Sequence, residues 1–225
     1  MDIILKLWTE EGPFEYHGKY WSMNKIDEMV NGLLKHHIYP YQKPHPPIGI
    51  TGLSYGSETL KLAGERGFIP LSFGANNEYV ASHWNSILEG AKRSGRTPNR
   101  KDWRIVREAF VAETDEEAWE WSVGFMMGRQ SREYYLPLFT HLGGLRAFKH
   151  DPSVPDEAVT PEYLAQTGWL IGSPETVARK LQNLYDMVGG FGTFLIQVYD
   201  YSEEPEKWRN SMRLMVEEVL PRLKV

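Results

Sequence analysis

The sequence predicts an α/β fold, a parallel sheet with helices packed on its outside. Three observations predict it. Short apolar runs of strand length recur, amphipathic segments of helix length separate them, and Gly or a capping Ser or Thr stands at the junctions. Such alternation builds either a barrel or an open doubly wound sheet, and periodicity alone leaves both open.

In chain order, residues 2–8 place Ile3, Ile4, Leu7 and Trp8 at helical spacing with no capping residue in front, the pattern of a helix tail. Residues 11–41 are aromatic with poor helical period, and 14–21 read as a hairpin turning at His17-Gly18. Pro44, Pro46 and Pro47 stiffen the approach to Ile48-Gly49-Ile50-Thr51-Gly52, a candidate buried strand. A helix over 57–66 stops at Gly67, a strand covers 68–73, and an amphipathic helix over 77–94 closes at Gly95. Residues 103–112 alternate as a strand does, and Thr114 followed by Asp115, Glu116 and Glu117 opens a helix with an N-cap and an acidic first turn. Between Gly128 and Thr167 the rhythm gives way to short aromatic and Pro/Gly segments, an insertion too long for a plain connection. Rhythm resumes with Ser173 as N-cap, Pro174 at the first helical position, Val177, Leu181, Leu184 and Val188 on one face, and Gly189-Gly190 as the stop. Residues 193–199 read as a buried strand, and a last helix from Pro205 to about Arg222 buries Trp208, Met212, Met215 and Val219. Four strands result, starting near 48, 68, 103 and 193.

Composition limits the function. With 41% hydrophobic and 24% charged residues, the chain has a folded balance that excludes disorder. Its 225 residues fall just short of the about 250 of a typical (β/α)₈ barrel. No apolar stretch nears the roughly 18 residues needed to cross a bilayer, and Met1 is followed by an acid, so a cytoplasmic chain without membrane contact is expected. The absence of cysteine excludes disulfides, thiolate nucleophiles and Cys-ligated zinc. A net charge of −5 without a basic face argues against nucleic acid and for a small-molecule partner.

The most informative segment is Thr51-Gly52-Leu53-Ser54-Tyr55-Gly56-Ser57, a strand end passing through glycines and hydroxyls into a helix start. Free backbone N–H groups and the positive end of the helix dipole make it a phosphate cradle, with Ser54 and Ser57 as hydroxyl donors; equally, Ser57 only caps the helix and the glycines only turn the chain. The seven histidines show no His-Glu-x-x-His pattern. His36 and His37 point in different directions on any regular element, His45 sits among prolines, and His17, His83, His141 and His150 lack carboxylates at ligand spacing; all read as solvated or locally hydrogen-bonded, and no metal is expected. The acidic pairs 116–117 and 203–204 suit helix starts, not a catalytic dyad, and 217–218 reads as a solvated face. Trp8, Trp21, Trp103, Tyr134 and Tyr135 wall either an apolar pocket or the core.

Several stretches together resemble the luciferase-like flavin-dependent monooxygenases, a (β/α)₈ family, and within it the limonene monooxygenase-like subgroup. They are Ile3-Ile4-Leu5-Lys6-Leu7-Trp8 leading to residues 12–21; Gln42-Lys43-Pro44-His45-Pro46-Pro47-Ile48; Gly52-Leu53-Ser54-Tyr55-Gly56-Ser57 through Leu62-Ala63-Gly64-Glu65-Arg66-Gly67; and Gly172-Ser173-Pro174-Glu175-Thr176-Val177. The resemblance implies a single luciferase-like domain over 1–225, an incomplete TIM-type (β/α)₈ barrel of about four βα units carrying strands 5–8. Residues 11–47 are its hairpin excursion and 128–168 its insertion over the site.

The resemblance also implies FMN as cofactor, its phosphate resting on Gly52, Leu53, Ser54, Tyr55, Gly56 and Ser57. It implies O₂ and a small apolar or carbonyl substrate, with a flavin reductase supplying reduced FMN. The family residues that contact the flavin ring fall on strands expected to precede Met1, so the chain reads as the C-terminal part of the barrel with little turnover alone, and no catalytic residue is assigned. Homo-oligomerisation stays open. A deazaflavin-dependent reductase of the same superfamily and a non-catalytic half-barrel are the alternative expectations.

Overall fold

The computed structural model describes residues 1–26, 28–35, 39–74 and 76–224, without the Lys35 side chain, and falls into two units, Met1–Ile48 and Gly49–Val225. His36 and His37 lie outside the described residues. The first unit opens with helix α1 (Asp2–Thr9), which has no side-chain cap. Strands β1 (Phe14–His17) and β2 (Ser22–Lys25) then form a hairpin that turns over residues 18–21, later than the expected His17-Gly18, with its second strand beyond Trp21; His17 lies opposite Ser22 and the Gly18 N–H donates to the Trp21 carbonyl at 2.9 Å. Two-residue strands β3 (Glu28–Met29) and β4 (Leu34–Lys35) pair antiparallel. Lys25, 3% exposed, donates from Nζ to the Glu10 carbonyl at 2.5 Å, placing its ammonium at the negative end of α1.

In the second unit the strands are β5 (Gly49–Gly52), β6 (Ile69–Phe73), β7 (Arg104–Arg107) and, later in the chain, β10 (Thr193–Ile196). They make one parallel sheet in the order β10-β7-β6-β5, so all four expected strands are present. Helices α2 (Glu58–Arg66) and α3 (Asn77–Arg93) follow β5 and β6, capped by the Ser57 and Asn76 side chains. The outer strands differ from expectation: β5 and β10 are half-buried, because each ends the sheet and pairs on one side only.

The strand expected over 103–112 is broken at Glu108. Strand β8 (Ala109–Val111) leaves the main sheet and pairs in parallel with β9 (Leu170–Gly172), which is too short to show a period in the sequence. Side chains still alternate through the break. Trp103, Ile105, Ala109 and Val111 enter a core shared with α3 and with helix α8 (Pro174–Val188), whereas Phe110 and Ala112 enter a second core under the insertion.

After α4 (Asp115–Ser122), the insertion is more helical than the sequence suggests. Helix α5 (Met126–Gln130), a π turn over Ser131–Tyr135 and helix α6 (Leu136–His141) run on without interruption. Pro137 has no N–H to offer the preceding turn, and the Leu136 N–H bonds five residues back to Ser131, so the widened turn absorbs the proline. Short 3₁₀ turns and α7 (Pro161–Thr167) complete it. The final helix α9 (Pro205–Leu214) continues through a π turn over Met215–Val219, burying Leu214, Met215 and Val219 and half-burying Trp208 and Met212. Among the described residues, no helix is long and apolar enough to cross a membrane.

Candidate functional site

Parallel sheets gather their functional groups at the carboxyl ends of the strands, and two such ends are elaborated here. At the end of β5, Gly52 is buried against α2, and a Cβ on it would lie 2.3 Å from Leu60 Cδ1. Only glycine lets the helix start so close to the strand. Ser57, 2% exposed, accepts the Leu60 N–H at 3.3 Å, and its Oγ lies 2.9 Å from Thr59 Oγ1, which donates to the Thr51 carbonyl at 2.7 Å. With the Thr59 proton so used, the Ser57 proton goes to Thr59. The Ser57 hydroxyl is thus committed inward as a cap, while Leu53, Ser54, Tyr55 and Gly56 stand at the surface.

This turn is open to a ligand. Gly56 has φ +63° with nothing within 4 Å of a Cβ built on it. The N–H groups of Glu58 and Thr59 precede the first intrahelical bond, from the Lys61 N–H to the Ser57 carbonyl at 3.0 Å, and so sit at the positive end of α2. The Glu58 carboxylate pairs with Lys61 at 3.0 Å, an ammonium it shares with Glu89 at 3.0 Å. Above the turn, the Arg146 guanidinium lies 5.6 Å from the Tyr55 ring centroid. Its position is fixed from the insertion side: Leu145 and Phe148 are buried, and Asn76 Nδ2 donates to the Lys149 and His150 carbonyls at 3.1 and 2.8 Å.

Beneath the turn, Tyr55 meets Tyr79 edge-on with centroids 4.7 Å apart, and Tyr79 meets His83 at 4.6 Å. Ser72 Oγ accepts the Trp103 indole N–H at 2.8 Å and lies 3.0 Å from His83 Nδ1. Which of the two atoms donates in that contact depends on the ring tautomer. Burial pushes His83 down to about 4, partly offset by the Ser54 backbone, so the ring is neutral at pH 7. Burial also pushes Tyr79 up to about 12. Neither His83 Nε2 nor the Tyr79 hydroxyl makes an aligned hydrogen bond.

The second elaborated end joins β7 and β10, where the Gln197 N–H donates to the Arg107 carbonyl at 2.9 Å. Arg107 and Glu108 are buried, at 1% and 6% exposure. Burial lowers Arg107 to about 10 and raises Glu108, each opposed by the other's charge. Gln197 Nε2 donates to the Tyr135 hydroxyl at 2.6 Å, and Tyr199 is buried with its hydroxyl unpartnered. None of Arg107, Glu108, Gln197 and Tyr199 was singled out from the sequence; the available signal was a charged pair inside an otherwise alternating strand. Among the described residues no three His, Cys, Asp or Glu side chains are grouped to hold a metal.

Residues 1–189 match the family described as luciferase-like monooxygenase. The chain is 31% identical over 226 residues to 3,6-diketocamphane 1,6-monooxygenase from Pseudomonas putida, covering 98% of this chain and 60% of that protein. It is 29% identical over 192 residues to limonene 1,2-monooxygenase from Rhodococcus erythropolis, covering 82% and 45%. In structure it resembles the oxygenating constituent of the P. putida 3,6-diketocamphane monooxygenase, a type II Baeyer-Villiger monooxygenase solved with FMN. The TM-score is 0.81 at 30% identity, over 99% of this chain and 60% of that one. An F420-dependent secondary alcohol dehydrogenase shares the fold at TM-score 0.59 and 15% identity. The chain thus spans about 60% of the length of its diketocamphane relative, and its four parallel strands form part of the family's (β/α)₈ barrel. With most of its length matched by the family and an alignment to the diketocamphane enzyme running nearly end to end, the chain belongs to the luciferase-like monooxygenases.

Proposed function

We propose that this chain carries the C-terminal βα units of an FMN-dependent monooxygenase that acts with O₂ on a small apolar or carbonyl compound and receives reduced FMN from a separate flavin reductase. The observation that carries the reading is the β5–α2 junction, set beside the FMN-bound relative of 0.81 TM-score. The residues present fit a phosphate: Gly52 brings the helix start close, Gly56 leaves open space, the Glu58 and Thr59 N–H groups face outward from the helix end, and Arg146 adds a cation.

In this reading the surface residues Leu53, Ser54, Tyr55 and Gly56 hold the phosphate through backbone and the Ser54 hydroxyl. Gly52 and Ser57 support them from within, Ser57 through its cap. Bound FMN supplies the oxygen chemistry; the chain's own residues bind, orient and exclude water. Segment 128–168 covers the site, tied to Asn76 through the Lys149 and His150 carbonyls that follow its Leu145–Phe148 turn.

Fluorescence titration of the chain with FMN, riboflavin and a deazaflavin tests this. Preference for FMN over riboflavin supports it. Preference for the deazaflavin favours the reductase alternative, and absence of any flavin binding favours a non-catalytic half-barrel.

A further inference from the structure

At the carboxyl ends of β7 and β10, Glu108 and Gln197 follow the paired residues Arg107 and Ile196, so they are neighbours across the two strands. Tyr199, two residues beyond Gln197, is 5% exposed and its hydroxyl has no partner. The π turn over Ser131–Tyr135 aims Tyr135 at the same place, where its oxygen accepts the Gln197 amide at 2.6 Å and its own proton is left to give. Burial first, and then the charge of Glu108, raise both tyrosines, which keeps them as O–H donors; for Tyr135 the Gln197 bond works against the rise.

The surroundings are aromatic. Phe73 meets Phe148 at 6.2 Å, Phe148 meets Phe139 at 4.7 Å, and Phe139 stacks on Tyr135 at 6.4 Å, so a line of rings runs from the end of β6 to the hydroxyls. The neighbouring guanidinium of Arg107 is turned to α3, where it holds Asn77. A buried carboxylate disfavours an anion beside it.

We infer that Tyr199 and Tyr135 form a subsite that donates hydrogen bonds to the carbonyl oxygen of a neutral apolar ketone, with Glu108 selecting against carboxylates. This rests on the proposed function and adds which residues take the substrate's carbonyl group. Two unfilled O–H donors at the end of an apolar wall match a molecule that is hydrocarbon except for one acceptor.

The test uses the full chain and cyclohexanone labelled with ¹³C at the carbonyl, followed by infrared difference spectroscopy, with cyclohexanecarboxylate as the anionic comparator. The bound ketone's C=O stretch is expected to fall below its value in hydrocarbon solvent. Tyr199→Phe, which keeps the ring and its packing, should remove much of that fall, and the Tyr199→Phe/Tyr135→Phe pair should remove it while the ketone still binds. Glu108→Gln should keep the ketone signal and gain several-fold in carboxylate affinity. Identical stretches in wild type and both tyrosine variants overturn the inference, as does absence of ketone binding or a wild-type preference for the carboxylate. Should the tyrosine variants not fold, the Glu108→Gln comparison decides. Preference for FMN over riboflavin is measured separately, so the subsite can fail while the cofactor reading stands.

Discussion

Arg107, the last residue of β7, and Glu108, at the break before β8, are adjacent in sequence and both buried. Arg107 is turned to α3, where its Nη2 donates to Asn77 Oδ1 at 2.6 Å, while the Glu108 carboxyl lies near enough to Tyr135 and Tyr199 for its charge to raise both. The break in the strand thereby leaves the guanidinium with Asn77 and the carboxyl beside Tyr135 and Tyr199.

That arrangement leaves Arg107 Nε and Nη1 buried without partners. Arg107→Met should therefore change stability by no more than about 1 kcal/mol, or raise it, because a charge with unmade hydrogen bonds is replaced by apolar volume. Asn77→Ala strips the remaining acceptor from a retained charge and should cost about 1–3 kcal/mol. Urea unfolding measures both, and a larger loss in Arg107→Met than in Asn77→Ala would contradict the account.

His83 should give the fold a pH dependence. Its folded pKa of about 4 lies below the ordinary 6.5, so between these values the unfolded chain binds more protons. Stability is full above pH 6.5 and is lost as pH falls toward 4, by up to about 3 kcal/mol. His83→Asn keeps an acceptor near Ser72 without titrating, and should flatten the unfolding free energy between pH 5 and 6.5 relative to wild type.

Asp115 ties the start of α4 to the start of α8. Its carboxylate accepts the Ser173 N–H at 2.6 Å and the Thr176 hydroxyl at 3.0 Å, and the Ser173 backbone bond is the main cause that holds it below the usual range. The stabilisation is present above about pH 4, the unfolded value, and disappears as pH falls through the folded one. Asp115→Ala should cost about 1 kcal/mol at pH 7, discounted for exposure, and less at pH 3. Thermal melts at the two pH values check the difference.

Much of the fold was legible because its punctuation is local. Ser57, Thr114 and Ser173 announce helix starts, Gly67 and Gly189 announce stops with φ of +71° and +74°, and each apolar run between them is a strand. The three residues of β9 carry no period, and the helical run through Pro137 looks broken in sequence because a proline reads as a helix stop, whereas the widened turn before it absorbs it. The β5–α2 turn stood out through its glycines and hydroxyls, although the inward commitment of Ser57 depends on Thr59 and the Thr51 carbonyl. Glu108, Tyr135 and Tyr199 converge from positions 108 to 199 of the chain, and no local pattern reports that.

Gly52→Ala should be poorly tolerated, since the added carbon meets Leu60 at 2.3 Å and α2 must move off the strand. The expected cost is about 1–3 kcal/mol in urea unfolding, with a parallel loss of FMN affinity.

Arg146→Ala should leave stability unchanged, because the side chain is exposed, yet lower FMN affinity about five- to tenfold. Riboflavin, which lacks the phosphate, should bind wild type and variant alike in fluorescence titrations.

The most direct test of the phosphate site is an amide ¹⁵N–¹H spectrum of the chain titrated with FMN, riboflavin and inorganic phosphate. The account predicts that the N–H signals of Tyr55, Gly56, Glu58 and Thr59 move with FMN and with phosphate and stay in place with riboflavin. Shifts that are equal for FMN and riboflavin, or that leave these four amides unmoved while FMN binds elsewhere, would contradict it.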